Sequence, residues 1–284
     1  MINELTEEQR SLLPSDADVA SYREQGFWIS PVIVPDEVLD AAELGMRRLY
    51  AGESDRSLPY DVGGWTEADG NVLRKNDYAS LRVDQLRELV GTPLIGATAA
   101  RLAGVPEIRL WHDQLLYKPT DGPGVPGNVG WHTDRQYWQT CSSAEMLTAW
   151  VGFHDVDEDG GSVAFVAGSH RWDIGGLDFF SQDLAGLQRR AEEAGFAFDI
   201  RPTRMRRGQV SFHHCRTVHG SGPNRSGSPR RSIAVHLQPG DNRYVETVLP
   251  DGSVARHGND RLTAGADGAP DYADPRFCPV LFAC

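Results

Sequence analysis

The sequence predicts a mainly β protein, a sandwich or barrel with a helical layer on its N-terminal side. Three observations carry this. Two segments before residue 105 have helical periodicity and helical end signals. After Pro106 the texture changes to short apolar or alternating runs. Those runs are separated by Gly, Pro and Asp clusters, the punctuation of antiparallel strands.

The first helix is expected over 35–50, "PDEVLDAAELGMRRLY". Pro35 stands at its start, Asp36 and Glu37 follow, and Arg47 and Arg48 close it, a charge order that complements the helix dipole. Val38, Ala42, Gly45 and Leu49 share one face. "TPLIGATAARLAG" (92–104) reads as a second helix stopped by Gly104. Strands are expected within 107–119, 146–156, 161–168, 208–214 and 231–239. "SQDLAGLQRRAEEAG" (181–195) interrupts them as a surface helix. The turn-rich tail after residue 240 is expected to wrap the surface or the mouth of a site. The organisation is thus a single domain over 1–284. A helical layer covers about 1–105, the β core about 106–240, and the wrapping tail 241–284.

With 28 Lys and Arg against 40 Asp and Glu, the net charge of −12 argues against non-specific binding to nucleic acid or to an anionic membrane. The acidic N-terminus has neither the basic nor the apolar part of a signal peptide, and no run reaches the roughly 20 apolar residues of a membrane helix. A cytoplasmic protein is expected. Cys141, Cys215, Cys278 and Cys284 form no CxxC or zinc spacing and read as free thiols.

The chemistry centres on "GWHTDRQYWQ" (130–139). His132 and Asp134, two apart on an extended segment, point to the same side and can share one ion. Alone, an HxD pair is more often structural. A second segment, "VHGSGPNRSGSPRRSIAVH" (218–236), adds His219 and, eleven positions later, Arg230 across a turn-rich loop. Two His and one carboxylate form the facial triad of non-haem iron oxygenases, and an Arg nearby can grip a carboxylate with two donors. Arg231 competes with Arg230: adjacent strand residues face opposite sides, so one points inward and the other is left as a solvated charge. His213 and His214 are expected to split between core and surface. His112, His154, His170 and His236 read as structural.

These segments, with "YREQGFWISPVIVPDEVLDAA" (22–42), "LLYKP" (115–119) and "LTAWVGFHDVDEDGGSVAFVAGSH" (147–170), resemble the phytanoyl-CoA dioxygenase family of Fe(II)/2-oxoglutarate-dependent oxygenases. The resemblance implies a double-stranded β-helix, a jelly roll with helices packed outside. It implies iron held by His132, Asp134 and His219. It assigns the distal carboxylate of 2-oxoglutarate to Arg230, assisted by Ser221, with Trp150, Gln114 and Lys75 lining that pocket. O2 completes the reactants. Oxidation of a small-molecule substrate, with release of succinate and CO2, follows from the family chemistry. Trp131, Tyr137 and Trp138 are candidates for the substrate wall, or for packing at the barrel mouth.

Asp134 favours hydroxylation over chlorination, because iron halogenases replace this carboxylate with a small residue. Desaturation, epoxidation, ring formation and epimerisation use the same core and stay open. A metal-binding barrel without turnover gives no reason for Arg230. A zinc hydrolase would also need a general base such as the Glu of HExxH, which the chain lacks. Lys occurs only at 75 and 118, an Arg-rich, Lys-poor usage that suits a high-GC bacterium and a step in secondary metabolism. Substrate contacts are expected from segments 57–80, 135–145, 172–200 and 240–265, since loops on a rigid barrel carry specificity.

Overall fold

The protein is described from a computed structural model, in residues 5–120, 129–172 and 183–284. Eight α-helices are named here: α1 (Glu7–Ser11), α2 (Asp16–Gln25), α3 (Asp36–Tyr50), α4 (Ala79–Arg82), α5 (Asp84–Val90), α6 (Pro93–Ala103), α7 (Leu184–Glu193) and α8 (Gly258–Leu262). The strands are β1 (Phe27–Val32), β2 (Arg74–Asp77), β3 (Glu107–Lys118), β4 (Val129–His132), β5 (Leu147–Gly152), β6 (Ala164–Val166), β7 (Ile200–Pro202), β8 (Gln209–His214), β9 (His219–Ser221), β10 (Arg230–Pro239) and β11 (Val280–Ala283). The larger sheet runs β1-β8-β5-β10-β3-β11, with β2 also paired to β3; the smaller runs β4-β9-β6-β7. This is the expected jelly roll with helices outside.

The two expected N-terminal helices form as α3 and α6. Pro35 is the N-cap of α3, and Gly104 ends α6 in the left-handed conformation (φ 70°), which a side chain would disfavour. In α3 the buried stripe is Leu39, Ala42, Gly45, Met46 and Leu49, while Val38 is only half-buried. The expected surface helix is present as α7, and its first residues, 181–182, lie outside the described residues.

The sheet boundaries are wider than the expected 106–240. β1 and β2 come from the N-terminal part and β11 from the tail, pairing with β8 and β3. β2 and β11 are four residues each, too short for a clear alternation against the polar segments around them.

Residues of β5 are buried along the whole strand, because both faces of the large sheet are covered. Leu147, Ala149 and Val151, with Val210 and Phe212 of β8 and Ile233, Val235 and Leu237 of β10, pack outward onto a core with Leu39, Leu86 and Ile95 of the helices. The alternate residues face inward, toward the small sheet: Thr148 and Trp150, His213, and Arg230, Ala234 and His236. This parity decides what the site contains.

Candidate active site

A cavity of about 780 Å³ opens between the two sheets. That is within the range of sites that enclose small molecules. His132 ends β4, His219 begins β9, and the two are register partners. Asp134 begins the short helical turn that follows β4. One donor atom from each of the three residues converges, all within 4.8 Å of one another.

Hydrogen bonds fix how each donor is presented. His132 Nδ1 donates to Gly130 O (2.8 Å) and His219 Nδ1 to Thr217 O (2.9 Å), so each ring turns its Nε2 lone pair inward. Those Nε2 atoms stand 3.8 and 3.6 Å from Asp134 Oδ1. The other carboxylate oxygen, Oδ2, accepts from the Thr148 hydroxyl (2.6 Å) and from His213 Nε2 (3.2 Å). Burial pushes both His132 and His219 down to about 4, so they are neutral ligands near pH 7. Burial alone would raise Asp134, but His219, His213 and His236 hold its carboxyl well below the usual range. Two neutral imidazoles and one carboxylate, with the second oxygen tied back, fit a divalent iron.

The cavity has a cationic end. Arg230 opens β10 opposite Lys118, the last residue of β3. Both are essentially fully buried, a rare state for long cationic side chains without a paired charge. Lys118 Nζ donates to Ser221 Oγ and to Gly222 O, each at 2.6 Å. Arg230 Nη1 donates to Gly161 O, while its Nε has no partner among the described residues. Its guanidinium carbon lies 5.2 Å from the centre of the Trp150 ring. Burial pushes Arg230 down to about 10; burial and the Arg230 charge push Lys118 down to about 6. A desolvated guanidinium with an orphaned donor, beside a buried amine able to take up a proton, fits a carboxylate between them. Gly161 makes the arrangement possible. Its φ is +65°, and a Cβ there would meet Gly222 O at 2.8 Å.

The sequence-derived residues divide as follows. His132, Asp134, His219, Arg230, Ser221, Trp150, Gln114, Lys75, Tyr137 and Trp138 all line the cavity. Lys75, however, faces it from β2 and has Asp77 as its ion partner, at 4.0 Å, while Lys118 occupies the place beside Arg230. Trp131 does not line the cavity. It precedes His132 on the same strand, so it points to the other side and packs near Val166, Leu187 and Val218. Arg231 likewise faces away from Arg230, but it is paired with Glu43 of α3 rather than simply solvated. Of the expected substrate segments, 57–80, 135–145 and 240–265 reach the cavity; no described residue of 172–200 does, and 173–182 lie outside the described residues.

Sequence reasoning missed Thr148, His213, His236 and His112 as cavity residues, and Lys118 as the buried neighbour of Arg230. Strand parity could have found them. Lys118 shares the face of Gln114, Thr148 that of Trp150, and His236 that of Arg230. All four cysteines are free. Among the described residues no helix is long and apolar enough to cross a membrane.

Comparison with known proteins agrees with this geometry. The profile of the family described as Phytanoyl-CoA dioxygenase (PhyH) matches residues 22–232. The ectoine dioxygenase of Bordetella parapertussis is 26% identical over 234 residues, covering 76% of this chain and 72% of its own. Among solved structures, the non-heme alpha ketoglutarate dependent carbocyclase SnoK from nogalamycin biosynthesis superposes with a TM-score of 0.71, at 26% identity, covering 94% of this chain and 96% of its own. The epimerase SnoN, solved with Fe3+, alpha ketoglutarate and nogalamycin RO, gives a TM-score of 0.70 at 27% identity, covering 94% and 98%.

Proposed function

The chain belongs to the phytanoyl-CoA dioxygenase family and is an iron- and 2-oxoglutarate-dependent oxygenase; from that premise we propose that it hydroxylates an unactivated C–H bond of a small organic substrate held in the inter-sheet cavity. The observation that carries the reading is the convergence of His132, Asp134 and His219 within 4.8 Å, with the carboxylate in place. In this reading the three residues hold iron(II). Together with 2-oxoglutarate and O2 the metal supplies the oxidising power, and the co-substrate leaves as succinate and CO2. The balance is one oxygen atom into the C–H bond and one into succinate.

The chain's own residues do the positioning. Arg230 and Lys118 grip the far carboxylate of 2-oxoglutarate, and Ser221 orients the Lys118 ammonium. Trp150 and Gln114 wall the co-substrate from the sides. Thr148 and His213 hold one oxygen of Asp134, which aims the other at the two imidazoles. The helical layer closes the outer face of the large sheet and keeps that side of the site dry. Residues 1–284 act as a single unit in this reading, with the tail contributing both a strand and part of the cavity wall.

A second outcome has its own support. Two solved relatives similar to this chain are a carbocyclase and an epimerase from nogalamycin biosynthesis. Ring formation or epimerisation in secondary metabolism is therefore the alternative fate of the same substrate position. Anaerobic addition of Fe(II) and 2-oxoglutarate should produce a weak visible charge-transfer band, and a substrate screen should show linked succinate. An oxygen atom gained by the product, rather than two hydrogens lost or a centre inverted, separates hydroxylation from the alternatives. No band and no succinate, or an Asp134→Ala protein with full activity, would overturn the reading.

A further inference from the structure

The large sheet carries a second polar group, remote from the cationic end. On β10, His236 lies six residues from Arg230, about 20 Å along an extended strand. A five-carbon dicarboxylate held at Arg230 cannot reach it. In register, His236 is flanked by His112 of β3 and Thr148 of β5, and Asp77 of β2 lies beside Gln114. His257, just before α8, closes the group from the tail.

The hydrogen-bonding character of each member is set by its neighbours. Thr148 has one hydroxyl proton, and Asp134 can only accept, so that proton goes to Asp134 Oδ2. His236 Nδ1, 2.7 Å from the same hydroxyl, must then donate to it. With its ring proton on Nδ1, the imidazole turns the Nε2 lone pair outward as an acceptor. His257 is the converse. Its Nδ1 accepts the Asn259 backbone N–H at 3.1 Å, and burial pushes it down to about 3, so its proton sits on Nε2 as a donor.

His112 is 5% exposed and stacks on His236 at 4.5 Å, with its edge toward His257 at 5.2 Å. Its Nδ1 has no hydrogen-bond partner among the described residues, and neither has Asp77 Oδ1, although both are buried. His112 Nε2 lies 3.7 Å from that Asp77 oxygen. Buried polar atoms without partners are costly, and here they line a cavity. Lys75, 4.0 Å from Asp77, already balances the carboxylate charge. The group thus offers acceptors (Asp77, His236) and a donor (His257) in a nearly neutral setting. An ammonium ligand uses only acceptors. A hydroxyl uses both kinds at once. Tyr78, Tyr137 and Trp138 line the same cavity and add ring surfaces.

We propose that Asp77, His112, His236 and His257 form a subsite for a neutral, polyhydroxylated ring of the primary substrate, of the sugar or cyclitol kind. The inference rests on the oxygenase reading above. It places the ring next to the Thr148–Asp134 pair, so that the hydroxyls orient the C–H bond to be oxidised.

Binding tests it with three probes: phenyl β-D-glucopyranoside, phenyl tetrahydropyranyl ether (no hydroxyl) and phenyl 2-amino-2-deoxy-β-D-glucopyranoside. Calorimetry on the metal-free protein and on the anaerobic Fe(II)–2-oxoglutarate protein reads them. The glucoside is expected to bind at least tenfold tighter than the ether. Asp77→Asn and His257→Phe should each weaken the glucoside about tenfold and leave the ether within twofold; Asp77→Asn covers the case in which loss of the His257 cap unsettles α8. Equal binding of glucoside and ether, no glucoside binding, or a tenfold preference for the amine would overturn the subsite. The visible band needs no probe, so its absence would strike the oxygenase reading instead.

Discussion

Replacing Arg230 with Met should weaken co-substrate binding and stabilise the ligand-free protein at the same time. Burial pushes Arg230 down to about 10 from an ordinary value above 12, which corresponds to ~3 kcal/mol of disfavoured charge. The side chain is 1% exposed, so solvent screening relieves little of this. Against it stands one hydrogen bond to Gly161 O, with a net contribution of ~1 kcal/mol. The balance is ~2 kcal/mol in favour of an apolar residue of similar length, or a melting temperature higher by about 4 °C. Binding should move the other way. Removing one partner of a buried charge pair costs ~2–5 kcal/mol, so the Kd of 2-oxoglutarate should rise at least about 30-fold. Thermal unfolding of the metal-free protein and titration of the visible band measure the two effects. A variant that melts more than 5 °C lower, while its 2-oxoglutarate Kd changes less than threefold, would show Arg230 to be a structural residue and refute the argument.

Lys118, pushed down to about 6, is mostly neutral in the free protein at pH 7.5 and should become charged when a carboxylate arrives. Binding should therefore take up close to one proton, and affinity should be greatest below about pH 6 and fall as pH rises above it. Calorimetry in buffers of different ionisation enthalpy reads this directly; zero uptake, or uptake that persists in Lys118→Met, counts against it. Thr148→Val removes the 2.6 Å donor to Asp134 and should lower Fe(II) affinity ~10–100-fold, with Thr148→Ser restoring most of it. An unchanged Fe(II) Kd in the Val variant would mean that Asp134 needs no such hold. Trp131→Ala should cost ~2 kcal/mol of stability through lost packing yet leave 2-oxoglutarate affinity within twofold; a larger loss of affinity would return Trp131 to the cavity.

The part of the site that lies close together in sequence was legible. His132 and Asp134 share one segment, and His219 and Arg230 bracket one loop, so their spacing alone suggests proximity. The jelly roll was legible too, because alternation and turn residues are local signals. Thr148, His213 and His236 were harder, since strand parity gives their facing but only pairing between distant strands brings them to one cavity, and the same pairing sets Lys118 beside Arg230. A buried lysine has no local signature; its environment comes from Ser221, 103 positions away. Trp131 shows the opposite error. Nearness in sequence to His132 suggested nearness in function, and a single step along an extended strand reversed its direction.

β10 holds the cationic group at one end and the histidine group at the other, with the helical core behind both. The two recognition tasks are thus written on one rigid ruler. Substitutions at the His236 end can explore new substrates without disturbing the Arg230 end. A one-residue insertion between them would turn one end of the ruler over. A lineage built on this strand is free to change residues and constrained in counting them, which favours diversification by point mutation over diversification by strand length.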